Sequence, residues 1–422
     1  MARALRNTNG TGICDTLPNK PNRTSDEEHM NGFCTALNST TSELNTGAAY
    51  TALSARSVSA ITSFTANSFI TSMSIGDIAK RLASLRKSSA KINNQHAFLP
   101  ANTSPINMAN LSTDAPLTGG GASADEIPPD AAGGINDNRL SGYLSASFSD
   151  AEQEETLRLS GYDSDTSSLL LGLDYRFGSN VFAGAALKTL SGNIDLIENR
   201  GTVDITTYDL SLYSSYYPTE NIYFQGTLSA GQGDYDITRK MDFSVNGSAF
   251  SETAQSNPDG SGYSLSISSG YDHYFIGTGV STVTDISFAY AQTDIDGFSE
   301  SNAQGFNLIV GEQSIESLTS KLGLQVSKSV STSFGVLLPE FSAAWKHEFK
   351  TDGEDIVAAF AIDPDNTFRY TTDKRDSDYF VLGLAASMVL PNGIMGYIQY
   401  EKVLDIDNYN VDTLNLGARV EF

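Results

Sequence analysis

The chain has 422 residues, of which 40% are hydrophobic and 18% are charged, and its formal net charge is −24 at pH 7. The charged fraction lies below the roughly 25% of typical soluble domains, and the abundant Gly, Tyr and Phe favour strands and turns over helices. The acidic balance argues against a nucleic-acid partner. No run of about 18 apolar residues occurs, which excludes a transmembrane helix but not a membrane β-barrel, whose strands need only about 9 to 11 alternating residues each.

The N-terminal segment, residues 1–46, contains the two cysteines of the chain, Cys14 and Cys34. A disulfide between them would need an oxidising compartment such as the periplasm, and closing a loop of about 20 residues would stabilise the fold by roughly 3 kcal/mol. No CxxC motif or Cys/His ligand set accompanies them. The opening "MARALRNTNG" lacks the apolar region of a secretory signal. For an exported protein we therefore expect a true N-terminus upstream, or a truncated gene product.

The next segment, residues 47–91, has helical periodicity. Ile75, Ile78, Leu82 and Leu85 recur at helical spacing, with basic residues on the other faces. We expect one or two amphipathic helices, which either pack against a neighbouring element or thread a pore. Residues 92–138, which include "TGGGASADEIPPDAAGG", are rich in Gly, Pro, Ala and Asp and are typical of a flexible linker.

From about Arg139 onward the apolar residues recur with a period of two. In "SSLLLGLDYRF", the residues from Leu169 to Phe177 at odd positions share an apolar face, opposite a polar face that carries Asp174 and Arg176. Twelve segments show this pattern: 140–148, 157–177, 180–190, 203–217, 221–236, 260–276, 281–294, 315–329, 333–349, 377–390, 393–403 and 412–422. Tight turns follow the even-numbered segments and longer polar loops follow the odd-numbered ones. The pattern predicts an all-β fold, a 12-stranded antiparallel transmembrane barrel over 139–422 with both termini at the short-turn end.

A soluble β-sandwich is the alternative, since its strands also alternate. Two features favour the barrel: loop length is polarised between the two ends, and several segments reach 15 residues where sandwich strands usually have about 5 to 6. Aromatic residues also cluster near strand ends, where they would form girdles at the membrane interfaces. These clusters are Tyr175 and Phe177, Tyr216 and Tyr217, Tyr223 and Phe224, and Tyr397 and Tyr400.

The inward faces are the expected place for function. Nine charged residues should point into a polar lumen: Asp174, Arg176, Lys188, Asp209, Glu340, Lys346, Glu348, Arg419 and Glu421. Mixed charge would keep the interior hydrated and would steady a segment passing through it. Lumen-filling salt bridges without a transport role are the alternative.

Catalytic and metal motifs are not found in the sequence. The four histidines (His29, His96, His273 and His347) are scattered, and no GxSxG, HExxH, P-loop or GxGxxG element occurs. The stretches "DPDN" at 363–366 and "DIDN" at 405–408 contain oxygen ligands but lack the glycine and distal glutamate of an EF-hand loop. We interpret them as solvated loop acids and predict no catalytic residue, no metal and no cofactor.

The last segment, "TLNLGARVEF", alternates strictly. We expect Leu414, Leu416, Ala418, Val420 and Phe422 to face lipid, and Asn415, Arg419 and Glu421 to face the lumen. This strand should pair with the first one, near "LSGYLSASF", because an open sheet edge in lipid leaves backbone groups unsatisfied at several kcal/mol each.

Three parts of the chain carry a family resemblance: the run from "SGYLSASFSDAEQEE" through "GLDYRFGSNVFAGAALKTLSGN" to "GQGDYDITRKM", the stretch "LPEFSAAWKHEF", and the terminal "LNLGARVEF". They resemble the C-terminal translocator β-domain of bacterial autotransporters (type Va secretion). The resemblance covers about 285 residues. It implies a non-enzymatic, monomeric barrel in the outer membrane of a Gram-negative bacterium, in contact with lipid and lipopolysaccharide, that helps an N-terminal passenger reach the cell surface. It also implies a segment lodged in the pore, periplasmic chaperones as partners, and an end signal for the β-barrel assembly machinery at Leu416, Ala418, Val420 and Phe422. Related proteins often carry a cysteine pair where Cys14 and Cys34 lie.

The sequence departs from the family upstream of the barrel. Only about 138 residues precede it, with no β-helix repeat and no recognisable enzyme domain, so the activity of a passenger is undefined. Two other functions stay open: a standalone outer-membrane pore or adhesin-like barrel, and a surface hydrolase whose catalytic domain is absent. Some autotransporters cut their linker with acidic lumen residues, but no pair here matches specifically enough to be nominated.

Overall fold

A computed structural model describes Leu5 and residues 11–39, 58–60, 62–65, 139–178, 180–390 and 394–421. Helices α1 (Ile13–Thr16) and α2 (Ser25–Ser39) lie in the N-terminal segment. Of the predicted helical segment 47–91, residues 58–60 and 62–65 are described and are helical, whereas the predicted linker 92–138 lies outside the described residues. None of the described helices is long and apolar enough to span a membrane.

Twelve antiparallel strands form a closed wall, as predicted from the sequence. Each overlaps one of the twelve alternating segments, and the pairing of β11 with β13 completes the ring. The wall strands are β1 (Leu140–Gln153), β2 (Tyr162–Phe177), β3 (Val181–Leu196), β4 (Gly201–Tyr216), β5 (Ile222–Val245), β7 (Asp259–Phe275), β8 (Val280–Ile295), β11 (Gln313–Lys328), β13 (Gly335–Glu348), β16 (Asp378–Val389), β17 (Met395–Leu404) and β18 (Tyr409–Glu421). Six further strands complete the numbering: β6 (Ser248–Ser256), β9 (Phe298–Ser299), β10 (Leu308–Val310), β12 (Val330–Thr332), β14 (Asp355–Phe360) and β15 (Asp363–Thr371).

The first and last strands pair along their whole length. The register runs from Ser141 opposite Glu421 to Gln153 opposite Tyr409. The predicted closure is therefore confirmed, and no backbone edge is left between β1 and β18.

Apolar side chains cover the outside of the wall. Leu169, Leu171 and Leu173 are exposed on β2, and Leu414, Leu416, Ala418 and Val420 are exposed on β18, whereas Asn415 is buried. Phe422 and the side chain of Glu421 lie outside the described residues. An apolar face that points outward suits a barrel in lipid and excludes the β-sandwich, whose apolar face would pack inward.

The predicted aromatic girdle is only partly correct. Five members of the four pairs are exposed on the outer face: Tyr175, Phe177, Tyr216, Phe224 and Tyr400. Tyr217 and Tyr223 are instead buried, and Tyr397 is half-buried. Neighbouring residues on a strand point to opposite faces, so two adjacent aromatic residues cannot both face lipid.

The two ends of the barrel differ strongly. At the turn end, the connections are the short ones at 178–180, 217–221, 276–279, 329–334 and 390–394. At the loop end, three connections predicted as irregular loops contain strands. In the first, β6 pairs with the extension of β5 as a hairpin, and in the other two, β9, β10, β14 and β15 form a separate four-stranded sheet. The loop prediction was wrong there because these strands bury apolar residues, such as Ile356 and Phe360, against distant parts of the chain.

Candidate functional site: the lumen and the loop end

Four tyrosines lie against glycines on the lumen side of the wall. Each tyrosine is directly opposite its glycine on the adjacent strand. A Cβ atom added at any of these glycines would lie 2.2–2.4 Å from the nearest atom of the tyrosine side chain, so no larger residue fits without a shift. The pairs are Tyr143 with Gly172, Tyr213 with Gly184, Tyr223 with Gly270, and Tyr397 with Gly417.

Two of the predicted lumen charges are almost fully buried, Asp174 and Lys188, each with 3% of its surface exposed. Ser141 Oγ donates a hydrogen bond to Asp174 Oδ1 at 2.6 Å, and the Tyr213 hydroxyl donates to Oδ2 at 3.4 Å. Lys188 on β3 is directly opposite Asp209 on β4. The hydrogen bonds satisfy the buried Asp174 carboxylate, and Asp209 places an opposite charge beside the buried Lys188, as a low-dielectric interior requires.

Another predicted lumen residue, Glu348, joins three parts of the wall. Its carboxylate accepts hydrogen bonds from Ser317 Oγ at 2.5 Å, from the Leu318 amide at 3.0 Å and from the Lys350 amide at 2.8 Å. An Nη1 atom of Arg375 lies 4.0 Å away. Glu348 therefore ties the end of β13 to β11 and to the connection that follows.

Four of the remaining predicted lumen residues are half-buried. Lys346 Nζ lies 5.7 Å from the ring centre of Tyr379, and Arg176, Glu340 and Arg419 are half-buried. An ion pair that was not predicted from the sequence lies at inner positions of β8 and β11, where Lys321 Nζ is 2.7 Å from Asp285 Oδ2. The same period-two pattern would have indicated both residues.

The described helical residues 58–60 and 62–65, which we call the helical stretch 58–65, lie at the loop end against the inner wall. Thr62 Oγ1 donates a hydrogen bond to Gln313 Oε1, and the Phe64 ring packs edge-on against Tyr162 at 6.4 Å between ring centres. Beside Phe64 and Thr65, a cavity of about 170 Å³ is lined by Lys188, Asp209 and a set of small residues. The helical stretch and these two predicted lumen charges therefore line the same cavity.

Residues 11–39 form a compact unit that we call the N-terminal module. A disulfide joins Cys14 to Cys34. Thr24 and Glu27 form a capping box at the start of α2, with the Thr24 amide donating to Glu27 at 2.9 Å and the Glu27 amide donating to Thr24 Oγ1 at 3.3 Å. Hydrogen bonds from the Lys20 side chain and from the Thr24 amide hold the pKa of Glu27 below its usual range.

The module packs against the loop end through a cluster of four phenylalanine rings. Phe33 of α2 contacts Phe243 and Phe250 of the β5–β6 hairpin and Phe306 of the β9–β10 connection, with ring centres 5.5–5.9 Å apart. Phe33 and Phe306 are fully buried. Edge-on ring packing of this kind adds to the free energy of burial.

A buried ion pair shapes the surface that receives the module. Arg239 on β5 donates from Nε and Nη2 to the Glu300 carboxylate at 2.8 and 2.5 Å, and both side chains are 1% exposed. Nη2 also donates to the Phe306 carbonyl at 3.0 Å, while Glu300 accepts the Leu308 amide at 2.8 Å. The pair thus fixes the connection that carries Phe306.

The candidate metal ligands of the sequence are used in other ways. Asn366 of "DPDN" donates to Asp363 at 2.8 Å and to the Thr11 carbonyl of the module at 3.1 Å. Asp405 and Asn408 of "DIDN" take left-handed conformations in the turn before β18. Across the part of the chain that the structure describes, no group of three or more His, Cys, Asp or Glu residues is arranged to bind a metal ion.

Residues 143–401 match the family model for the autotransporter beta-domain. This chain belongs to that family. The autotransporter β-domain is a barrel of the bacterial outer membrane, and the predicted family, fold and location are thereby confirmed. Translocator barrels of this family are generally non-enzymatic.

Relatives and solved structures agree with this assignment. The chain is 26% identical over 159 residues to outer membrane protein B of Rickettsia japonica, covering 36% of this chain and 10% of the relative. It is 23% identical over 249 residues to outer membrane protein A of Rickettsia rickettsii, covering 57% and 11%. The chain thus spans about a tenth of these relatives. The translocator domain of autotransporter NalP from Neisseria meningitidis has a similar fold, with a TM-score of 0.53 and 17% identity, covering 68% of this chain and 90% of that one.

The family assignment orients the barrel in the membrane. Outer-membrane barrels have short turns on the periplasmic side and longer loops outside, so the loop end of this autotransporter β-domain faces the exterior. The wall begins at Leu140, which pairs with Tyr175 near the turn end. The N-terminal module and the helical stretch 58–65 instead contact the loop end, on the opposite side of the membrane span.

Proposed function

We propose that this barrel transports the chain segment that precedes Arg139 across the outer membrane and displays it at the cell surface. The observation that carries the proposal is the position of the N-terminal module. It contacts the loop end, whereas Arg139 lies at the turn end of a closed wall. A chain that reaches both ends has its N-terminal part outside and its barrel anchored in lipid.

The lumen charges fit this function. Asp174, Lys188, Asp209 and Glu348 keep the interior polar, which lets a hydrated segment pass without burying unpaired charge. The four tyrosine rings lie flat against the wall because a glycine faces each of them. The bore is therefore wider than it would be if the rings projected into the lumen. In our proposal the chain catalyses no reaction, and the lumen residues steady the segment in transit.

Assembly of the barrel completes the proposal. We expect the assembly machinery to recognise Leu416, Ala418, Val420 and Phe422, after periplasmic chaperones have kept the strands unpaired. The assembled barrel is expected to be a monomer in contact with lipid and lipopolysaccharide. The outward, exposed position of Leu416, Ala418 and Val420 supports this recognition.

Epitope accessibility on intact cells tests the proposal. One epitope is inserted between Pro21 and Asn22, which are exposed, and a control epitope replaces the periplasmic turn at Thr278. We expect antibody to label the first epitope on intact cells and the second only after the outer membrane is permeabilised. Labelling of the N-terminal epitope only after permeabilisation would overturn the proposal.

A further inference from the structure

We propose that the outer face of β8, β11, β13 and β16 holds lipid A, the phosphorylated lipid anchor of lipopolysaccharide, at a fixed position. The contact is made by a row of polar side chains that crosses the apolar wall. This inference goes beyond transport, because it assigns one class of lipid to one place on the outside of the barrel. It rests on the orientation of the barrel, whose loop end faces the exterior, and not on what passes through the lumen.

Three polar side chains lie next to one another on the outside of neighbouring strands. His347 on β13 is directly opposite Ser320 on β11 and Asp378 on β16. On either side of His347 along β13, Trp345 and Phe349 are exposed on the same face, so the three residues, which we call the polar row, cross the apolar belt near its loop-side edge. Polar groups in contact with lipid are unfavourable without a hydrogen-bonding partner.

Hydrogen bonds within the polar row fix the imidazole ring. His347 Nδ1 lies 2.9 Å from Asp378 Oδ1, and Trp345 Nε1 donates to the same oxygen at 3.0 Å. Because the carboxylate engages Nδ1, Nε2 is left for a ligand. Nε2 of a neutral ring accepts a hydrogen bond from a lipid hydroxyl, and the Ser320 hydroxyl on the adjacent strand donates to an ester carbonyl. The polar row therefore matches the ester and hydroxyl groups of a lipid.

The wall on the turn side of the polar row provides an apolar surface for acyl chains. Phe288 on β8 is directly opposite Ser320, and Ile286 and Leu322 face each other at the next positions toward the turn end. All three apolar side chains are exposed and continue the lipid-facing belt. Acyl chains on this surface would have their ester groups at the height of the polar row.

A basic side chain lies on the loop side of the polar row. Lys350 is three residues beyond His347, up to about 10 Å of extended chain, and its Nζ is 2.6 Å from Glu316 Oε2. An exposed ion pair of this kind is weak, so Lys350 can exchange its carboxylate partner for a phosphate. Phosphate, ester groups and acyl chains follow one another in this order in lipid A, and the residues that match them follow in the same order along the wall.

Trp345 allows binding to be measured without a label on the protein, because it is the only tryptophan of the chain. The full chain is reconstituted in phosphatidylcholine vesicles that contain dansyl-labelled lipid A in both leaflets, so that the site meets the lipid in either orientation of the barrel. Energy transfer from Trp345 is obtained from donor lifetimes with and without the dansyl group. We expect more transfer to lipid A than to dansyl-labelled phosphatidylglycerol at the same mole fraction, and competition by unlabelled lipid A.

Single substitutions assign the binding to the polar row. Ser320→Ala and His347→Leu should each lower the apparent affinity for lipid A by roughly 3- to 10-fold, because each removes one hydrogen bond to the ligand. Lys350→Gln should reduce the preference for lipid A over its dephosphorylated form. His273→Leu is the matched control, since His273 is exposed on the outer face of β7 near the turn end, and it should leave transfer unchanged. Heat-modifiable migration on gels checks that each variant is folded.

Two results would overturn the proposal. One is equal transfer to lipid A and to phosphatidylglycerol in the unmodified chain. The other is binding of lipid A by folded Ser320→Ala and His347→Leu that is as strong as binding by His273→Leu. Neither result affects surface display of the N-terminal module, which epitope labelling measures separately.

Discussion

The Arg239–Glu300 pair illustrates how single residues decide the shape of the loop end. Both side chains are buried. Three hydrogen bonds from Arg239 join β5 to the connection carrying Phe306, and a fourth runs from the Leu308 amide to Glu300. A buried ion pair contributes little net stability, but removal of one partner leaves an uncompensated charge. The consequences for mutation are therefore asymmetric.

We expect Arg239→Met to destabilise the loop end by about 3–5 kcal/mol. Combining it with Glu300→Leu should reduce the loss to about 1–3 kcal/mol, the cost of the Leu308 amide left without its acceptor. Arg369→Met, which breaks an exposed pair with Asp355, is the control and should cost less than about 1 kcal/mol. Hydrogen exchange of the Ser301 amide, which donates to the Gln255 carbonyl, measures the local opening free energy, and equal values for the single and double variants would contradict the prediction.

The tyrosine–glycine pairs make a second prediction at the residue scale. Gly270→Val would bring side-chain atoms into the space that the Tyr223 side chain occupies. This clash should destabilise the barrel by at least about 1–3 kcal/mol. The control is Gly226→Val. Gly226 lies on the paired strand, and a Cβ atom there would have only the Ser266 carbonyl oxygen nearby, at ordinary contact distance. The temperature at which the folded band is lost on unheated gels reports the difference. Equal temperatures for the two variants would show that the rings are free to move aside.

Asp174, Lys188 and Glu348 are buried in strands whose alternate residues are exposed, which agrees with the period-two pattern of the sequence. The pattern was not sufficient to identify their partners. Ser141 reaches Asp174 across 33 positions in the chain, and that contact depends on the register between β1 and β2. Register follows from pairing over a whole strand, which a local pattern does not contain.

At the scale of elements, the wall strands and the loop-end strands differ in what specifies them. A wall strand needs one face toward lipid and one toward the lumen, so its own sequence alternates and can be recognised. Strand β14 has Ala358, Ala359 and Phe360 buried in succession, and Ala358 and Phe360 belong to an apolar cluster that also includes residues of the module and of the wall strands. Such burial comes from long-range contacts and leaves no alternating pattern to read.

The disulfide of the module gives an element-scale prediction. Replacing both Cys14 and Cys34 with Ser should reduce the stability of the module by about 3 kcal/mol, because the unfolded segment regains loop entropy. The amide protons of α2 should then exchange faster, while those of the wall strands should be unchanged, since the wall strands are held by their own backbone pairing. Unaltered exchange in α2 would mean that docking to the loop end, rather than the disulfide, sets its stability.

At the scale of the whole molecule, the position of the apolar belt decides how the barrel sits in the membrane. Along the outer face of β2, Leu169, Leu171 and Leu173 are exposed, and toward the loop end they give way to Asp163 and Asp165, which are also exposed. The same face therefore changes from apolar to acidic within one strand. Lipid covers the first part, and water or lipid headgroups cover the second.

Two substitutions on this face test the position of the belt. Leu171→Arg introduces a charge near the middle of the lipid layer and should cost about 2–4 kcal/mol, whereas Asp163→Arg, eight residues away on the same face of the same strand, should cost about 0–1 kcal/mol. Folding into lipid vesicles, titrated with urea, measures both values against the unmodified chain. A similar cost at both positions would mean that Leu171 does not face the hydrocarbon core. A loss of stability in Asp163→Arg alone would mean that the apolar belt lies nearer the loop end. The boundary between the membrane span and the surface that carries the N-terminal module would then lie nearer the loop end as well.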